Sequence, residues 1–313
     1  MIASLVITFR EALEAALIVG IVLSYLAKTG QTRFRSAVFL AVGAAVAASL
    51  AGAVAFTRIA GGFTGRAEQI FEGATMLIGA ALLTTMILWM MRQRHIAAEL
   101  SERVATEVAQ AHRLGLFLLV FVSVLREGIE TVIFLGAASL AAGSSLFGAL
   151  AGVLSAGVLG YLVFAGSKRL ELKKFFTVTS ILLILFGAGL VAQGVHEFQE
   201  AGILPVLVEH VWDINPPLNA DGSYPLLHEN GHLGSILKAL LGYNGNPSLL
   251  EVVTYLSYLL VVFVLWRRIA GQREAAESTV ERKAGPLQPV GSVPPGAAEP
   301  PQENEVPSIQ TGR

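Results

Sequence analysis

The sequence predicts an all-α membrane protein with seven transmembrane helices, arranged as two inverted three-helix repeats plus one extra helix. The composition is typical of a multispanning membrane protein: 54% of the 313 residues are apolar, 14% are charged, and the mean hydropathy is +0.63. A charged motif that occurs twice indicates the repeat. The formal net charge of −1 gives no sign of nucleic-acid binding, and the absence of cysteine excludes disulfides and thiolate metal sites.

Seven segments meet the requirement of about 20 mainly apolar residues for crossing a bilayer. The first begins at Ile2 without a basic segment before it and carries charges, so we expect a retained helix and no cleaved signal peptide. No proline precedes Pro205, and glycines such as Gly152, Gly157 and Gly160 suit close helix contacts. The predicted spans are 2–27, 36–57, 69–91, 114–141, 145–167, 175–195 and 249–266.

Basic residues predict the orientation of these spans, because cytoplasmic loops carry an excess of Lys and Arg. The loops after spans one, three and five and the segment after span seven are rich in basic residues, whereas the other loops have few. The N-terminus is therefore expected outside and the C-terminus in the cytoplasm. The basic residues concerned are Lys28, Arg33, Arg35, Arg92, Arg94, Arg103, Arg113, Lys168, Arg169, Lys173, Lys174, Arg267, Arg268 and Arg273.

The motif Arg-Glu-x-x-Glu occupies residues 10–14 in the first predicted span and 126–130 in the fourth. A charge at the centre of a membrane helix costs roughly 2.5–3.5 kcal/mol, so six uncompensated charges would cost about 15–20 kcal/mol. Because the starts of the two copies are three spans apart, spans one to three and four to six run in opposite directions, as in many transporters. Helices one and four are expected to cross near Glu14 and Glu130, with their carboxylates within roughly 15 Å of each other.

Each copy of the motif places two glutamates three positions apart, on one helix face. The pairs are Glu11 with Glu14 and Glu127 with Glu130. Carboxylate oxygens suit hard or borderline cations, so the pairs predict metal ligands on a cation pathway. The alternative is a set of ion pairs that only locks the helices together.

The two arginines of the motifs are the predicted charge partners of these glutamates. Successive helix positions differ by about 100°, so Arg10 and Arg126 point away from the glutamate next to them and are expected to pair across the repeat interface. Four carboxylates and two guanidiniums leave a net charge of −2. One divalent cation would neutralise this charge, and protons would neutralise it when no cation is bound.

A second acidic region is expected near the outer membrane surface. Glu68 and Glu72 form a pair at the start of span three, and Glu197 and Glu200 repeat the Glu-x-x-Glu spacing at the end of span six. These four glutamates are candidate outer metal ligands, and solvated surface carboxylates are the alternative. His196, His228 and His232 in the external segment are candidates for capturing a metal from outside.

The segment from His228 to His232 also matches the zinc-protease pattern His-Glu-x-x-His. That pattern requires a regular helix, whereas Asn230-Gly231 favours a turn. A membrane zinc hydrolase using His228, Glu229 and His232 is therefore the less favoured alternative, from a different functional class.

The expected domain organisation is a transmembrane domain followed by a tail. The tail is rich in Pro, Gly, Glu and Ser and is predicted to be disordered and cytoplasmic. The expected boundaries are 1–268 for the transmembrane domain, with repeat one at 1–92, repeat two at 113–196, the external segment at 196–248 and the seventh span at 249–268, and 269–313 for the tail.

The two motifs resemble the Arg-Glu-Gly-Leu-Glu type motif in spans one and four of the oxidase-dependent iron permease family (iron/lead transporters), which includes the permease components of bacterial iron uptake systems. The seven spans, the N-outside orientation, the acidic segment after span six and the stretch Leu240–Tyr243 are also similar, over about residues 1–268. Ala12 departs from the family pattern, which has glycine there.

The resemblance implies a permease of the inner or plasma membrane that imports iron, with the motif glutamates as ligands. It implies no enzymatic activity and no tightly bound cofactor. The implied partners are iron, membrane lipid, an external oxidase or peroxidase that supplies ferric iron, and a periplasmic iron-delivery protein, with no nucleic acid. A permease for another cation, such as lead or manganese, remains the alternative. The residue types themselves suit ferrous and ferric iron alike.

Overall fold

The structure is a computed structural model that describes residues 2–92, 96–109, 112–143, 145–165, 172–219 and 221–284. Within these ranges the secondary structure is helical, and no strand occurs. A short 3-10 helix at Thr32–Phe34 joins the first two α-helices. The α-helices of the described residues are α1 (Ile2–Lys28), α2 (Arg35–Ala60), α3 (Arg66–Arg92), α4 (Ile96–Ala109), α5 (Arg113–Ala142), α6 (Leu146–Ala165), α7 (Leu172–Glu200), α8 (His232–Leu241) and α9 (Leu249–Ala284).

The all-helical membrane architecture is confirmed. Among the described residues, five helices are long and apolar enough to cross a membrane, namely α2, α3, α6, α7 and α9. Their outer faces expose large apolar side chains such as Leu50, Leu154 and Leu260, as expected for surfaces that face lipid. The motif helices α1 and α5 have 27 and 30 residues, which is also long enough to span a bilayer, but each carries the charges of one motif.

The structure adds helices that the hydropathy pattern did not predict. Helix α4 lies in the loop after the third predicted span, where its buried Val104 and Val108 belong to the same apolar cluster as Leu26. Helix α8 lies in the predicted external segment. Both are amphipathic and shorter than a membrane span, so a search for long apolar runs misses them.

Helix α9 continues past the predicted end of the seventh span, so the beginning of the tail predicted to be disordered is helical. Residues 270–284 are rich in Ala, Glu and Arg, which favour helix, and the first proline of the tail is Pro286. The rest of the tail, residues 285–313, lies outside the described residues. By their contacts, the described residues up to Ile269 form one unit, and those from Ala270 to Ala284 belong to a second.

The helices of the first unit pack in pairs: α1 with α6, α2 with α5, and α3 with α7, while α1 and α5 also contact each other. Two apolar clusters stabilise this arrangement. One includes Ile7 of α1 and Phe134 of α5, and the other includes Val22 of α1 and Val124 of α5. Both motifs therefore lie along α1 and α5 between the two clusters, where Arg10, Glu11 and Glu127 are buried.

Close contact between α1 and α6 depends on glycine. A Cβ atom at Gly152 of α6 would collide with Thr8 Oγ1 and with backbone atoms of Leu5 and Phe9 of α1. The hydroxyl of Thr8 donates to the carbonyl of Ala149, 2.9 Å away, which also joins the two helices. The predicted role of small residues in helix contact thus applies at Gly152, whereas a Cβ at Gly157 would meet no atom within 4 Å.

Gly152→Ala is expected to lower the melting temperature of the detergent-solubilised protein, because the added methyl group forces α6 away from the backbone of α1. Overpacking of this kind costs about 1–3 kcal/mol. Gly157→Ala is the matched control on the same helix and should keep or raise the melting temperature, since alanine favours helix over glycine. Equal melting temperatures for the two variants would contradict the assigned contact.

Candidate metal site

The contact between α1 and α5 brings carboxylates of both motifs together. One ligand oxygen from each of Glu11, Glu14 and Glu127 lies within 4.8 Å of the other two. The side chains of Glu11 and Glu127 are 1% and 2% exposed, and that of Glu14 is 13% exposed. The expectation named Glu14 and Glu130 at the helix crossing. In the structure, the residue of α5 that joins Glu11 and Glu14 is Glu127, one helical turn before Glu130.

Each arginine forms its close ion pairs with the glutamates of its own helix, whereas pairing across the repeat interface was expected. Arg10 Nη1 lies 2.7 Å from Glu11 Oε1, and its Nη2 lies 2.9 Å from Glu14 Oε1. In α5, Arg126 Nη2 lies 2.7 Å from Glu127 Oε1, and its Nε lies 3.4 Å from Glu130 Oε1. The arginine side chain is long enough to turn back along its helix, so the 100° between neighbouring positions does not prevent these pairs.

The ion pairs leave buried carboxylate oxygens without hydrogen bonds. Glu11 Oε2, Glu127 Oε2 and Glu130 Oε2 have no hydrogen-bond partner among the described protein groups. The contact between Arg10 and Glu14 is close, but it does not have the geometry of a hydrogen bond. An unpaired buried acceptor is costly, and a cation between the carboxylates would remove that cost.

The two motifs are similar in sequence but lie in different surroundings. Arg10 is fully buried, and its guanidinium nitrogens contact two thioethers of α3, with Nη1 2.8 Å from Met86 Sδ and Nη2 3.2 Å from Met90 Sδ. Arg126 is 45% exposed and lies over the ring of Trp89, 5.0 Å from its centroid. Helix α3 therefore contacts both arginines, which the sequence does not predict.

The glycine of the second motif is needed for packing. A Cβ at Gly128 of α5 would collide with the side chain of Ser49 of α2. Ala12, at the corresponding position of the first motif, is partly exposed. The extra methyl group in the first motif thus leaves the ligands of α1 in place.

The predicted outer glutamates lie at the paired ends of α3 and α7. Gly73 and Gly194 allow these helices to touch, because a Cβ on either glycine would lie 2.9 or 3.0 Å from the carbonyl oxygen of the other. Gln69 donates to Glu200 Oε2 at 3.0 Å. Glu72 interacts electrostatically with the remaining members of the set, Glu68, Glu197 and Glu200.

His196 connects this outer acidic region to a glutamate that the sequence reasoning missed. Its Nδ1 lies 3.0 Å from Oε1 of Glu251, and its Nε2 lies 3.2 Å from Glu200 Oε1. Glu251 is 3% exposed and also accepts hydrogen bonds from the Asn244 side chain and the Ser248 backbone. The sequence contains a recognisable pattern for this residue, because Ser-x-x-Glu before an apolar run is a helix capping box. In the structure, Ser248 Oγ accepts a hydrogen bond from the Glu251 N–H.

The histidines of the zinc-protease pattern do not share a helix face. Residues 228–231 form turns, in which the Gly231 N–H donates to the His228 carbonyl at 2.7 Å, and α8 begins only at His232. The carboxylate of Glu229 accepts from the Gly245 N–H. Among the described residues, no group of three potential metal ligands contains His228 or His232.

Comparisons with known proteins agree on one family. The sequence pattern of the iron permease FTR1 family matches residues 1–271. An uncharacterized protein of Archaeoglobus fulgidus is 34% identical over 277 residues, which cover 87% of this chain and 96% of the relative. Two proteins named ferrous iron permease EfeU are also similar: that of Escherichia coli is 33% identical over 274 residues, covering 85% of this chain and 96% of the relative, and that of Yersinia pestis is 32% identical over 286 residues, covering 88% and 98%. No solved structure matches.

Proposed function

The chain belongs to the iron permease FTR1 family, a family of transporters and not of enzymes, and we propose that its iron passes through the carboxylate site between α1 and α5. The family match and the five long apolar helices identify the chain as a multi-pass protein of the inner membrane. The zinc hydrolase alternative has no support, since its two histidines lie in a turn and at the start of α8.

The observation that carries the proposal is the group formed by Glu11, Glu14 and Glu127 between two long helices, in which Glu11 and Glu127 are buried and Glu14 is partly buried. The site favours a cation because its charges do not cancel. The four glutamates of the two motifs and their two arginines together carry a net charge of −2. Unpaired oxygens on Glu11 and Glu127 leave acceptor positions that an ion can use. A purely structural network would be expected to pair these oxygens.

The proposed architecture has seven spans: the five apolar helices together with α1 and α5. The packing of the helices supports inverted repeats. In such a repeat, α1, α2 and α3 correspond to α5, α6 and α7. The contact of α1 with α6 then corresponds to the contact of α5 with α2, and the contact of α3 with α7 corresponds to itself. All three contacts are present, as the repeat requires. The reciprocal approach of Gly73 and Gly194 is also what a two-fold axis at the α3–α7 crossing requires.

In the proposed transport cycle, iron arrives from outside and leaves in the cytoplasm. The distribution of basic residues supports an outer N-terminus, and on that orientation Glu68, Glu72, Glu197 and Glu200 lie towards the outer surface, where they would capture iron with help from His196. His228 and His232 are weaker candidates for the same role. Rocking of one repeat against the other would release the ion on the inner side.

The partners are also proposed from the family. They are an external oxidase or peroxidase and a periplasmic iron-delivery protein, with membrane lipid around the helices and no tightly bound cofactor. The relatives from Escherichia coli and Yersinia pestis bear the name ferrous iron permease, which supports iron over lead or manganese as the substrate.

Uptake into liposomes tests the function. The purified full chain, reconstituted into liposomes, is expected to admit radiolabelled iron faster than protein-free liposomes do. Ferrous iron kept reduced by ascorbate and chelated ferric iron are supplied in parallel, and manganese or lead is added as competitor. A folded, inserted protein that admits lead or manganese but neither form of iron would contradict the proposal.

A further inference from the structure

The guanidinium of Arg10 lies between two carboxylates of α1 and two thioethers of α3. Its Nη1 has Glu11 Oε1 at 2.7 Å on one side and Met86 Sδ at 2.8 Å on the other. Its Nη2 has Glu14 Oε1 at 2.9 Å and Met90 Sδ at 3.2 Å. Each terminal nitrogen therefore bridges one carboxylate oxygen and one sulfur.

Thioethers are poor partners for a buried guanidinium. Sulfur is only a weak hydrogen-bond acceptor, and Arg10 Nε has no partner although the residue is fully buried. The same sulfur atoms are good ligands for soft and borderline metal ions. Two methionines one helical turn apart, both in contact with the guanidinium that pairs with the carboxylates, thus fit a metal ion better than they fit the arginine.

We propose that Met86 and Met90 are ligands of the transported ion, in a mixed carboxylate and thioether site at the position of the Arg10 guanidinium. Such a site favours iron over harder divalent ions such as manganese. This inference rests on the proposed function and adds two sulfur ligands to its carboxylate site. Arg10 is then the internal competitor that the ion displaces.

The distances are compatible with this exchange. An ion at the position of Nη1 would have one oxygen at 2.7 Å and one sulfur at 2.8 Å. Typical bonds to zinc are roughly 2.0–2.2 Å from carboxylate oxygen and about 2.3 Å from sulfur, so each ligand would move inward by about 0.5 Å. Methionine has a flexible side chain that permits such a shift. The free Oε2 of Glu11 offers a further oxygen.

X-ray absorption at the iron edge tests the proposal on the wild-type protein. The purified full chain is loaded anaerobically with one equivalent of ferrous iron. A sulfur neighbour is expected near or slightly beyond the roughly 2.3 Å of a zinc–sulfur bond, together with oxygen neighbours. Bound iron surrounded only by oxygen or nitrogen overturns this inference alone, whereas a folded protein that neither binds nor transports iron overturns the proposed function as well.

Substitution by leucine removes the sulfur atoms while keeping an apolar side chain of similar size. The double variant Met86→Leu, Met90→Leu is expected to lose the sulfur signal and to weaken ferrous iron binding about tenfold or more, with less than about a twofold change for manganese. Met76→Leu is the matched control, a buried methionine of the same helix that packs in the apolar cluster. Equal losses for iron and manganese, or no loss for iron, contradict the proposal. If the double variant fails to fold, the wild-type spectrum decides.

Discussion

Glu14→Gln and Glu127→Gln are each expected to abolish iron uptake into liposomes while the protein still folds and inserts. Glutamine keeps the volume and hydrogen-bonding capacity of glutamate but removes one negative charge. Glu14 and Glu127 come from different helices and belong to the same group of three carboxylates, so either change removes a ligand from the cation. Initial rates of uptake, normalised to the amount of reconstituted protein, measure the effect.

Glu229→Gln is the matched control for these variants, because Glu229 lies in the external segment and its carboxylate accepts a hydrogen bond from the Gly245 backbone. Uptake by this variant should remain close to that of the wild type. Normal uptake by the Glu14 or Glu127 variant at normal expression would remove these glutamates from the mechanism. A loss of folding before any loss of transport would instead indicate a purely structural ion-pair network.

Arg10→Gln is expected to destabilise the protein by about 3–5 kcal/mol, the usual result of removing one partner from a buried ion pair. The change leaves Glu11 and Glu14 without their counter-ion in a site where Glu11 is 1% exposed. Denaturation in detergent, followed by circular dichroism, measures the loss of stability.

Arg126→Gln is the matched comparison, since the same change is made in the second motif, where the arginine is 45% exposed. Solvent screens the Arg126 end of its ion pairs, although Glu127 is buried, so this variant should lose less stability than Arg10→Gln. Equal destabilisation by the two changes would show that the difference in burial has no energetic consequence.

Much of the fold could be predicted from the sequence, because long apolar runs have few alternatives in a membrane. The doubled motif also predicted that the carboxylates of α1 and α5 would come together. The ends of the long helices lie within a few residues of the predicted ends, except where α7 and α9 extend further. These results follow from strong, repeated signals.

The sequence could not predict which groups surround the arginines. Met86, Trp89 and Met90 are ordinary residues for an apolar helix, so nothing in a single sequence distinguishes them from side chains that face lipid. The partners of Arg10 depend on how its flexible chain folds back, which spacing alone does not determine. Glu251 is different, because its capping box with Ser248 could have been recognised.

The pairing of each arginine within its own helix has a consequence for synthesis of the protein. The chain is made from its N-terminus, so α1 enters the membrane before the residues of α5 have been translated. During that interval the glutamates of α1 have no partner in the second motif, but Arg10 already lies within reach of Glu11 and Glu14. Each motif helix thus carries its own counter-ion into the bilayer, which lowers the cost of inserting its charges before the other half of the protein exists.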